Sequence, residues 1–126
     1  MPEIIMPSAY PDAKPWVDVA HFLEPGLSKR FDLSCSAQAD GNNVNLNVRL
    51  TVGADHVDRV SNARYMLMTL QAPFSAGGSF VVTGLADNVP VPIGIDASGR
   101  LGIMTAAGVR PSECRYIDFS ATIWRK

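Results

Sequence analysis

Strict alternation over residues 31–52 constrains this chain more than any other feature. Phe31, Leu33, Cys35 and Ala37 alternate with Asp32, Ser34, Ser36 and Gln38. After Asp40-Gly41-Asn42-Asn43, the residues Val44, Leu46, Val48, Leu50 and Val52 alternate with Asn45, Asn47, Arg49 and Thr51. Side chains on a strand point to opposite faces with period two, so the segment predicts a β-hairpin with one dry face and one wet face. Asp-Gly between the two runs supplies the turn, because glycine accepts the positive φ that tight hairpins need.

Further strands follow the same logic. Tyr65–Leu70 and Ser79–Thr83 read as strands, the second closed by Gly84. Val89–Asp96 is a third, in which Pro90 and Pro92 exclude a central ladder position for the first half. Ala97-Ser98-Gly99 predicts a hairpin turn into Arg100–Met104. The closing strand, Tyr116 to Trp124, sets Ile117, Phe119, Ala121 and Ile123 against Tyr116, Asp118, Ser120, Thr122 and Trp124. No segment of helix length is periodic. About seven or eight short strands with regular turn signals predict an all-β fold, an antiparallel β-sandwich or jelly-roll-like barrel.

With 126 residues, 47% of them apolar, the chain suits one domain with a real core. That domain is read over 16–126, opening at Trp16. Residues 1–15 differ: Pro2, Pro7, Pro11 and Pro15 forbid a helix and predict an extended, Pro-rich arm. Ile4, Ile5, Met6 and Tyr10 would be out of place in a purely solvated tail, so the arm is expected to dock on its own domain or a neighbour.

The formal net charge is −1 and the basic residues are scattered, which argues against a nucleic-acid grip. No run approaches the roughly 20 apolar residues of a membrane span, and no secretion signal is read at the N-terminus. Cys35 and Cys114 read as two buried free thiols, a bridge requiring neighbouring strands at the right spacing.

Catalytic signatures are missing from the pattern. Asp55-His56-Val57-Asp58 sets an imidazole between two carboxylates, yet a zinc site wants three or four spaced ligands, and only the distant His21 could add a second imidazole. The segment reads as a solvated loop. No G-x-S-x-G elbow or phosphate-binding glycine loop is present, so neither an enzyme nor a cofactor is predicted. Tyr116, Trp124 and Arg125 form the candidate contact surface, since the parity of the last strand turns both rings away from the core. Such rings pack on a neighbouring subunit, stack on a glycan, or cover the sandwich end.

The order of segments resembles the small β-sandwich domains of bacteriophage tail fibres and minor tail proteins. Trp16 stands as the opening Trp, and Gly41-Asn42-Asn43-Val44-Asn45-Leu46 as the first strand signature. Met68-Thr69-Leu70-Gln71-Ala72-Pro73-Phe74 is similar to the "tLP" stretch with two residues inserted. Ile95-Asp96-Ala97-Ser98-Gly99-Arg100-Leu101 and Phe119-Ser120-Ala121-Thr122-Ile123-Trp124 complete the layout. The resemblance implies a virion structural protein, a minor tail, baseplate or fibre-tip component that is homo-oligomeric, with a trimer favoured. Its partners would be other virion proteins and a host-surface glycan, and it transfers no catalytic residues. A departure is that no shaft or coiled coil precedes the domain, which points to a virion component docked through its arm. A capsid decoration protein and a small carbohydrate-binding module are the alternatives.

Overall fold

The computed structural model describes residues 15–33 and 35–126. The arm residues Ile4, Ile5, Met6 and Tyr10 lie outside them. Ten strands form one antiparallel sheet: β1 (Val17–Asp18), β2 (Leu27–Lys29), β3 (Ser36–Asp40), β4 (Asn43–Val52), β5 (Val60–Ser61), β6 (Arg64–Thr69), β7 (Phe80–Ala86), β8 (Val89–Ile95), β9 (Arg100–Met104) and β10 (Tyr116–Trp124). Their order is β1-β3-β4-β10-β7-β8-β9-β6-β5, with β2 also on β4. The sheet curls into a half-barrel. A bridge between Leu23 and Met68, with Glu24 N donating to Leu67 O at 2.9 Å, ties the segment before β2 to β6 near the sheet's other end.

The fold is all-β, as the alternation predicts. Val44, Leu46, Val48 and Leu50 of β4 and Ile117, Phe119 and Ile123 of β10 are buried on the inner face. They meet Val91, Ile93, Ile95, Leu101 and Ile103 from β8 and β9 in one apolar cluster. The β3–β4 hairpin turns through Gly41 and Asn42 between the paired Asp40 and Asn43, with Gly41 at φ +60°. On β8, β9 joins only at Ile93–Ile95, so the edge beside Pro90 and Pro92 carries no ladder, as expected.

Three local expectations are corrected. Phe31 and Leu33 are not part of the hairpin strand: β3 starts at Ser36, and Phe31 stands fully exposed in a turn. Extending the hairpin register would bring Leu33 opposite Leu50, but Lys29 of β2 already pairs there and Arg30 N donates to Arg49 O at 2.9 Å. The β4 edge is taken, and the alternation in 31–33 has no ladder to join. Gly84 does not close β7, which runs on to Ala86; Gly84 is where β7 passes close to Asp118 O and Ile93. The turn comes at Asp87-Asn88, both at positive φ, as a two-residue hairpin requires.

The third correction is His56, which does not sit in a solvated loop. Gly53 N donates to Gly26 O at 2.7 Å and His56 N to Gly53 O at 3.1 Å, folding the loop onto Gly26. The imidazole is left only 1% exposed, while Asp55 and Val57 stay in solvent.

Candidate functional site

The outward face of β3, β4 and β10 gathers the chemistry-bearing side chains that the core does not use. Asn47 pairs across the ladder with Ser120 and Asn45 with Thr122. Thr122 Oγ1 donates to Asn45 Oδ1 at 2.7 Å, Asn45 Nδ2 to Gln38 Oε1 at 2.8 Å, and Ser120 Oγ to Asn47 Oδ1 at 3.3 Å. Asn45, Asn47, Ser120 and Thr122 and the half-exposed indole of Trp16 line a shallow furrow of about 420 Å³. Among the described residues none that lines it carries a charge.

A second, smaller depression of about 230 Å³ continues the furrow along β10 toward β7. Here the ladder is interrupted. β7 pairs with β10 only at Ala86 and Leu85, and the two segments meet again where Gly77 N donates to Trp124 O at 2.7 Å. Tyr116 O and Trp124 O both bond on the β7 side, so strand parity turns the peptide groups of Ser120 and Thr122 to the same edge. Among the described residues those groups have no ladder partner.

Tyr116 and Trp124 both face outward, 45% and 64% exposed, as strand parity requires. The structure does not bring them together, for they lie at opposite ends of β10, about 26 Å apart at 3.3 Å per residue. Tyr116 sits under the Arg30 guanidinium at 4.7 Å, and Arg30 Nη1 donates to both carboxylate oxygens of Asp118 at 3.1 Å. At the far end Arg125 Nη1 donates to Gly41 O at 3.1 Å, so its charge is turned to the hairpin tip. Sequence reasoning singled out Trp16 as the opening aromatic residue and did not place it beside Asn45 and Asn47. The signal that could have placed the furrow was the shared parity of Asn45 and Asn47 with Ser120 and Thr122.

His56 makes a different cluster. Its Nδ1 lies 2.8 Å from Pro25 O, and its Nε2 is 3.5 Å from Asp58 Oδ1 with no hydrogen-bond partner among the described residues. Asp58 also accepts from Ser112, N at 3.0 Å and Oγ at 2.5 Å. The order is serine–carboxylate–imidazole. A nucleophilic triad needs the imidazole between the other two, to take the hydroxyl proton. This arrangement joins three loops and does not activate Ser112. Among the described residues no group of three or more His, Cys, Asp or Glu is placed to hold a metal ion.

Both cysteines are free and buried, as read from the sequence. Burial pushes the Cys35 thiol up to about 12 and the Cys114 thiol up to about 11.

No protein family, curated protein or solved structure matches this chain. The geometry therefore carries the functional argument by itself. That geometry is a broad polar face with aromatic rings standing on it, and the ionisable clusters are turned to structural use.

Proposed function

We propose that the chain is a bacteriophage virion structural protein, a minor tail, baseplate or fibre-tip component, serving assembly and host-surface recognition. The observation that carries this reading is the placement of aromatic side chains on β10. One face of the strand is core, while the other presents Tyr116 and Trp124 to the outside at its two ends. Phe31 and Trp16 stand on the surface as well. Exposed aromatic rings of this kind are depleted on solvated surfaces and enriched at the centres of protein interfaces. The layout of segments from Trp16 to Trp124 agrees with such a component.

Light scattering on the full-length chain tests the assembly half. The expected outcome is a trimer or larger species that Trp124→Ser or Tyr116→Ser converts toward monomer. A monomer across the accessible concentration range would remove self-assembly and leave docking onto a different virion protein as the form to test.

A further inference from the structure

We propose that the furrow between Trp16 and the outer faces of β4 and β10 binds a neutral carbohydrate. Tyr116, Trp124 and Arg125 are not among the described residues that line it, and the inference stands whether or not the protein is a virion component.

Three features select the ligand class. An indole standing 49% exposed beside a polar floor offers a flat apolar surface next to hydrogen-bonding groups. A pyranose ring presents the same pair of properties, a C–H face and a rim of hydroxyls. The floor consists of two carboxamides and two hydroxyls; the hydroxyl protons are donated to Asn45 and Asn47 Oδ1, which leaves hydroxyl lone pairs and amide N–H groups to match a sugar hydroxyl's dual character. The unladdered peptide groups of Ser120 and Thr122 at the neighbouring edge add further donors and acceptors along the same line.

The third feature is the missing charge. Among the described residues no Lys or Arg lines the furrow to pair a phosphate, sulfate or sialic carboxylate, and no Asp or Glu to pair an amine. The volume of about 420 Å³ lies within the range of roughly 300–1,000 Å³ usual for small-molecule sites, though the site is open on one side. Shallow, uncharged and wet, it fits a weak neutral sugar site better than a cofactor pocket.

The test is a titration of the full-length protein, 15N-labelled, with neutral and sialylated oligosaccharides in parallel, followed by NMR. The indole N–H of Trp16, the Asn45 and Asn47 side-chain amides and the Ser120 and Thr122 backbone amides should shift with a neutral oligosaccharide in the millimolar range. Trp16→Ala should abolish the response, Trp16→Phe should keep some of it, and Asn47→Ala should weaken it by about tenfold. Trp124→Ser, which changes the assembly surface, should leave it intact. No shift at millimolar sugar, a preference for the sialylated ligands, or a response lost with Trp124→Ser and kept with Trp16→Ala would each overturn the proposal. None of those outcomes bears on the mass of the full chain, so this inference and the assembly reading fail separately.

Discussion

Arg64 and Asp96 form a buried ion pair. Arg64 Nη1 lies 3.5 Å from Asp96 Oδ2, with the two side chains 7% and 8% exposed. The pair ties the β8–β9 hairpin to the start of β6. Asn62 Nδ2 donates to Asp96 Oδ2 at 2.8 Å, while Ser98 N, Ser98 Oγ and Arg100 N all donate to Oδ1. Arg64 Nη1 reaches Asn62 O at 2.7 Å, but among the described residues its Nε has no partner, so the carboxylate is well satisfied and the guanidinium is not.

Removing the carboxylate should therefore be costly, because it leaves Arg64 buried without a counter-charge. Asp96→Ala is expected to cost about 3–5 kcal/mol in urea unfolding. A loss under about 1 kcal/mol would mean that the pair contributes little to the fold.

The same carboxylate sets a pH dependence. Burial alone would raise Asp96, but hydrogen bonds from Ser98, Asn62 and the Arg100 and Ser98 amides outweigh it and hold the group at about 2. The folded value lies below that of an unfolded aspartate, near 3.9, so the contribution is complete above that value and is lost as pH falls through about 2. The stability gap between the native chain and Asp96→Asn should shrink by about 2 kcal/mol between pH 5 and pH 2. A gap independent of pH in that window would show that the carboxylate is not depressed.

Glycines at two positions should respond in opposite degree. A Cβ on Gly102 would stand 2.1 Å from Tyr65 O, a backbone atom fixed in the β6–β9 ladder, so Gly102→Ala must push β6 and β9 apart. The loss expected is about 3 kcal/mol, at the upper end of ordinary overpacking. At Gly41 nothing lies within 4 Å, and only the positive φ of +60° opposes a side chain. Gly41→Ala should cost about 1 kcal/mol. Thermal unfolding of the two variants side by side decides it, and equal losses would contradict this account.

His56 and the two thiols supply the last tests. His56→Ala removes a ring that is 1% exposed and its contact to Pro25 O, and about 2–3 kcal/mol should be lost. Ser112→Ala, which removes only the Oγ donor to Asp58 Oδ2 and keeps the backbone one, should cost less than about 1 kcal/mol. Loss of the same size in both would make the Asp58–Ser112 link the main tie.

With their thiols raised by burial, Cys35 and Cys114 should react with a disulfide reagent at pH 8 only after unfolding. Rapid labelling of the native chain would show that one of them is open to solvent.

The prediction of β10 succeeded because its two faces differ in polarity over nine residues, and parity is a local property. The prediction over residues 31–33 failed although the same rule was applied. Whether an alternating run joins a ladder depends on a free partner edge, and here Leu27–Lys29 had taken it. His56 failed for a related reason: its neighbours Asp55 and Asp58 are polar, while the groups that bury it, Gly26 and Pro25, come from about 30 residues earlier.

By itself the sequence determined the strand class, the hairpin turn at Gly41, the inward row of β4 and β10, and the outward direction of Tyr116 and Trp124. All of these follow from neighbours one or two positions apart. Only the tertiary structure decided that Trp16 would stand beside Asn45, Asn47, Ser120 and Thr122, since those residues come from three separate segments. It alone decided that Arg64 would meet Asp96, and that β7 would separate from β10 beyond Leu85. Strand order and sheet curvature set those distances, and neither is encoded in the period of any one strand.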